Sequence, residues 1–215
     1  MNTTTTHTIF NLIILDESGS MESIKAPTLS GFNEVVQTIK GVSGQFPEQL
    51  HTVTLVTFNS LGIQTRLDNQ PADQLMELTD DLFRPDAGTP LYDAMGRSLM
   101  RMEWLTEKET NYTVLVSILT DGEENASREF TGRQIQAMVE RLKQHNWSFT
   151  YMGANQDAQK TASSLSITQS ITFQTNEASM KDLFAQERKG RTAFYDKRSK
   201  GETVQSAESS YFIQP

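Results

Sequence analysis

Two short, nearly continuous apolar runs limit this chain more than any other feature: IFNLIIL at residues 9–15 and VLVSIL at residues 114–119. Runs of this kind read as strands covered on both faces, as in a parallel sheet packed between helices. Further β signals fall at 53–58 and 147–152, with a weaker one at 170–173. Segments with helical spacing lie between them. Leu29, Phe32, Val36 and Ile39 recur three or four apart, with Gly41 and Gly44 as stop signals. Leu91, Met95, Leu99, Met102 and Leu105 form a second stripe, opened by Pro90 where a first helical turn tolerates proline. Helices are also expected over 132–145, 156–165 and 178–187. Strands alternating with helices imply an α/β fold with a doubly wound, mostly parallel sheet, and LGIQTRL at 61–67 supplies a short antiparallel edge strand by hairpin.

At 215 residues the chain suits one core, which we expect to span residues 1–188. From Lys189 onward the sequence turns polar, aperiodic and locally basic, so residues 189–215 are expected to be extended or partly mobile. Within that tail, Tyr211, Phe212 and Ile213 form an apolar cluster expected to dock on the chain's own domain. The net charge of −8 argues against generic nucleic-acid binding, since phosphates would be repelled over most of the surface. Absence of cysteine excludes disulfides, thiolate catalysis and thiolate metal sites. The N-terminal segment has no basic region ahead of its apolar run, which Asp16 closes, so a strand is expected there rather than a signal peptide or membrane span. A cytoplasmic location is the corresponding expectation.

In a doubly wound sheet, ligands sit beyond the carboxyl ends of the strands, near the switch point. Three polar loops fall there. LDESGSM, residues 15–21, follows the first apolar run and carries Asp16, Ser18 and Ser20; AGTPLYDA, residues 87–94, carries Thr89; LTDG, residues 119–122, carries Asp121. Parallel strands bring Asp16 and Asp121 to one sheet edge, and a helix N-terminus can turn Thr89, a natural N-cap, toward them. Two carboxylates and three hydroxyls, with no nitrogen or sulfur, are the donors of a hard cation: magnesium or manganese first, calcium after them. Glu22, Asp86, Asp93, Glu123 and Glu124 add charge nearby. They are expected to be solvated, with Asp93 supporting the second loop. Asn155, Gln156 and Asp157 are expected to start a helix at the rim. The histidines, His7, His51 and His145, are scattered and are assigned no chemistry.

Asp16-x-Ser18-x-Ser20, Thr89 in AGTPLYDA and Asp121 in LTDG together resemble the metal-ion-dependent adhesion site of the von Willebrand factor type A domain family. The resemblance covers residues 9–187 and matches in identity and order at all five positions. It implies a Rossmann-like fold and a non-enzymatic module in which a protein partner's acidic residue completes the coordination of the cation. It also implies similarity to prokaryotic intracellular members, which work beside ATPases or stress-response systems, with no role for nucleic acid or membrane.

Two other classes bear comparison. A magnesium-dependent phosphohydrolase of the haloacid dehalogenase type needs a second acid two residues after its nucleophile, and Ser18 stands there. Nucleotide enzymes of the common kinds are disfavoured, because neither G-x-G-x-x-G nor G-x-x-x-x-G-K-[ST] occurs. A scaffold that binds through its tail is the structural alternative.

Overall fold

The computed structural model describes residues 6–154 and 158–212. Its strands are β1 (His7–Asp16), β2 (Gln49–Asn59), β3 (Gly62–Pro71), β4 (Tyr112–Thr120), β5 (Trp147–Ala154) and β6 (Gln169–Phe173). Among the described residues they form one sheet in the order β3-β2-β1-β4-β5-β6, parallel throughout except for β3, which pairs antiparallel with β2. The helices are α1 (Lys25–Gln45), α2 (Leu91–Thr106), α3 (Gly132–Leu142), α4 (Ala158–Ser164), α5 (Glu177–Ser199) and α6 (Val204–Glu208).

Alternation along the central strands divides the core in two. Ile9, Ile13 and Leu15 of β1, with Leu115 and Leu119 of β4, pack toward α1 and α5. Phe10, Leu12 and Ile14, with Val114, Val116 and Ile118, pack toward α2 and α3. Because α1 leaves β1 on one face and α2 enters β4 on the other, the winding reverses between these neighbours. The register sets Leu15 opposite Leu119, so Asp16 and Thr120 end the two strands side by side, with Asp121 immediately beyond.

Several expectations need correction. α1 runs through Gly41 and Gly44 and stops at Gln45, two residues before Pro47, whose ring disfavours helical backbone at Phe46. The edge strand is longer than the apolar signal indicated, ten residues, with register shifts near Val53 and Leu55.

The tail differs most. α5 continues past Lys189 to Ser199, so the expected boundary after residue 188 falls inside a helix. Its buried stripe is Met180, Leu183, Phe184, Glu187, Gly190, Arg191, Phe194 and Tyr195. Helical spacing is intact, but a carboxylate and a guanidinium occupy two stripe positions, so a search for apolar periodicity stops short. Beyond it α6 buries Val204 and Ala207, and the chain then crosses back over α5, burying Tyr211 and Phe212. A Cβ on Gly190 would run into the Tyr211 carbonyl oxygen, so the crossing requires glycine there. Tyr211 and Phe212 thus dock on their own domain, as expected, while Ile213 lies outside the described residues. Among these residues no helix is long and apolar enough to cross a membrane.

Candidate functional site

Asp16 closes β1 with its side chain wholly buried. Its Oδ1 accepts the Ser18 N–H at 2.8 Å and its Oδ2 accepts the Thr120 hydroxyl at 2.5 Å. Burial pushes the carboxyl up to about 6, against the pull of those hydrogen bonds, with a smaller upward push from Asp121. The turn then doubles back through a short 3-10 helix, Gly19–Ile24. Ser18 is buried, Ser20 is exposed, and their hydroxyl oxygens lie 3.1 Å apart. Ser20 donates to Asp121 Oδ1 at 2.5 Å. Burial raises the Asp121 carboxyl too, with the Ser20 hydrogen bond opposing.

Thr89 arrives from the second loop, 2% exposed, and the expectation that it caps α2 is overturned. The N-cap position belongs to Pro90, with no side-chain cap. The Thr89 hydroxyl leans instead over the third loop, where a Cβ built on Gly122 would meet Thr89 Oγ1 at 2.7 Å, and Asp16 Oδ2 and Ser18 Oγ at 3.6 Å each. Three oxygens therefore surround one point that glycine leaves open, and Ser20 with Asp121 joins them through Ser18. The five residues singled out by spacing all meet.

What fixes the loops was only partly legible. Glu17, in a variable position of the motif, is buried; it accepts the Arg84 N–H at 2.5 Å and pairs with the Arg66 guanidinium at 3.2 Å. Its own backbone carbonyl takes the Asp86 N–H, and Gly19 donates to the Ala87 carbonyl, both at 3.0 Å, so the first loop is sewn to the second. Glu124 is not a solvated carboxylate: it accepts from the N–H groups of Tyr92, Ala126 and Ser127 and from the Ser127 hydroxyl. Asp93 supports the third loop rather than the second, accepting the N–H groups of Arg128, Glu129 and Phe130. Those three backbone bonds hold its carboxyl below the usual range, against the opposing effect of burial. Glu22, Asp86 and Glu123 are exposed, as expected. Thr120 was missed, although its signal was available: a hydroxyl ending the strand beside Asp16. Asn155, Gln156 and Asp157 lie outside the described residues.

His7 and His51 stand away from this edge, both held below the usual histidine range chiefly by burial, His51 to about 4. A cavity of about 360 Å³ adjoins Asp121 and Gly122, bounded by Tyr92, Tyr151 and Thr161. Among the described residues no cluster of three or more histidine, aspartate or glutamate side chains could by itself hold a metal ion. Any cation here would depend on the hydroxyls as much as on the two carboxylates. Among the same residues, neither Asp16 nor Asp121 forms an ion pair with a lysine, arginine or histidine.

A family model described as von Willebrand factor type A domain matches residues 12–186. No curated protein matches the chain significantly. Among solved structures, proximal thread matrix protein 1 from the mussel byssus is similar at TM-score 0.56 and 11% identity, covering 85% of this chain and 46% of its own. The PilB minor pilin from Streptococcus sanguinis is similar at TM-score 0.57 and 11% identity, covering 87% of this chain and 62% of its own. This chain thus spans less than two thirds of either protein. The SpRpn10 VWA domain is similar at TM-score 0.56 and 12% identity, covering 82% of this chain and 93% of its own. At such identities the likeness speaks to the fold alone.

Proposed function

The chain belongs to the von Willebrand factor type A domain family, and from that premise we propose that it is a non-enzymatic protein-binding module whose Asp16, Ser18, Ser20, Thr89 and Asp121 hold a divalent cation for an acidic residue of a protein partner. The observation that carries this reading is the convergence of Asp16, Ser18 and Thr89 oxygens on the space above Gly122, with Ser20 and Asp121 hydrogen-bonded alongside. The donor set is all oxygen, which favours magnesium or manganese over softer ions, with calcium the third choice.

Charge supports the same reading. A fully buried carboxylate without a cationic partner is costly, and the pair of acids here has none among the described residues. Bound there, a divalent ion supplies the missing positive charge and a Lewis-acidic point for an incoming carboxylate. The protein's own part is to keep the donors in place. Thr120 orients Asp16 through its hydroxyl, Ser20 orients Asp121, and exposed Ser20 beside half-buried Asp121 leaves an approach from solvent. Partners belonging to an ATPase or a stress-response system are the class that the family resemblance favours.

Among the described residues of the tail, Tyr211 and Phe212 are engaged with their own domain, which counts against the tail as an independent binding element. The test is affinity capture from the host's lysate in magnesium, in EDTA, and with Asp16→Ala. A partner retained only by the wild type in magnesium is expected. A partner retained equally in all three would move the binding surface elsewhere.

A further inference from the structure

Helix α2 begins without a cap of its own, yet its leading N–H groups are not idle. The third loop satisfies them: Tyr92 N–H donates to Glu124 Oε2 at 3.0 Å and Asp93 N–H to Ser127 Oγ at 3.1 Å. One step earlier the same loop grips Thr89 on both sides. Thr89 N–H donates to Asn125 Oδ1 at 2.9 Å, and Asn125 N–H donates back to the Thr89 carbonyl at 3.1 Å. The Asn125 amide oxygen is pressed against the second loop, where a Cβ on Gly88 would lie 2.8 Å from it.

We propose that Asn125 is a positioning residue for the candidate cation site: its amide oxygen fixes the Thr89 backbone so that the Thr89 hydroxyl points into the space above Gly122. The inference rests on the cation-binding reading above, and Asn125 lies outside the five-residue motif. Two hydrogen bonds flanking one Cα restrict rotation of the adjoining peptides, and that rotation sets where Oγ1 points. Without Oδ1 the Thr89 N–H loses the fixed acceptor that sets the orientation of its peptide. The peptide would turn to recover a hydrogen bond, and the hydroxyl would leave the site. Since Asn125 itself is exposed, trimming it opens no hole in the core.

The clamp also couples the loops. The segment that carries Asp121 holds Thr89 in place, so two of the proposed ligands come from one hydrogen-bonded unit. A partner group drawing on the third loop would therefore be felt at Thr89 as well.

The experiment compares wild type, Asn125→Ala and Asn125→Asp. Amide hydrogen exchange at Thr89 is measured in EDTA, and manganese affinity by calorimetry at low and high ionic strength. Asn125→Ala is expected to speed Thr89 exchange and weaken manganese binding about tenfold or more, as loss of a partner that orients a metal ligand does. Asn125→Asp keeps an acceptor in the same place, and should hold exchange near wild type and bind manganese no more weakly. Wild-type binding with undiminished affinity in Asn125→Ala would overturn the positioning role alone. Absence of manganese binding by the wild type would overturn it together with the cation reading.

Discussion

Asp16 has the surroundings of a group that needs either a proton or a cation. Its carboxyl, pushed up to about 6 by burial, starts from an ordinary value of 3.8. The folded state therefore binds that proton more tightly than the unfolded chain, and in metal-free protein the group costs stability progressively as pH rises from 3.8 to about 6. Above that window the cost is on the order of 3 kcal/mol. Asp16→Asn should thus raise the metal-free protein's stability at pH 8 by about 1–3 kcal/mol and leave it nearly unchanged at pH 4, measured by urea denaturation in EDTA. A loss of stability at pH 8 would mean that a counter-charge already neutralises Asp16. The meeting of the five proposed donors was legible because DxSxS and the two downstream loops carry them at strand ends and a helix start. Glu17 and Asn125 were not, because their roles depend on which loops become neighbours, whereas Thr120 was open to inference from its place at the end of the strand beside Asp16.

Within the elements, the two polar interruptions of the apolar runs share one explanation. Asn11 of β1 and Ser117 of β4 lie on the α5 face, and the wholly buried Arg191 donates to Asn11 Oδ1 at 2.9 Å and to Ser117 Oγ at 2.8 Å. The same guanidinium is paired with buried Glu187 at 2.7 Å and donates to the Tyr195 hydroxyl oxygen at 2.8 Å, while Tyr211 donates to Glu187 at 3.0 Å. One charge pair therefore fastens α5 to the two strands that end in Asp16 and Thr120, and joins the returning tail to α5. Arg191→Ala would leave Glu187 buried and uncompensated. A loss of about 3–5 kcal/mol is expected in denaturant unfolding, with a much smaller loss for Arg191→Met combined with Glu187→Leu. Equal losses would mean that the charges themselves, rather than an unpaired remnant, hold the helix. This network also explains why the last helix was read short: charged residues in a helical stripe are legible as core only once their partners on the sheet are known.

Across the whole molecule, alternation of strands and helices was enough to derive the sheet, its parallel strands and its antiparallel edge. Periodicity and continuous apolar runs are local signals, and the doubly wound architecture follows from them by general rules of chain connection. The domain's true extent was not legible that way. Residues after Lys189 bury two tyrosines, two phenylalanines and an arginine against distant parts of the chain, a non-local closure that polar composition hides. The same non-locality applies to the site, where loops far apart in sequence share one point above Gly122. The central claim, that these five residues hold a divalent cation, is tested most directly by calorimetric titration of manganese into EDTA-cleared wild type, Thr89→Ala and Asp121→Ala. Saturable binding of a single ion by the wild type, weakened in Thr89→Ala and lost in Asp121→Ala, is the predicted result. No binding by the wild type, or equal binding by all three, would contradict it.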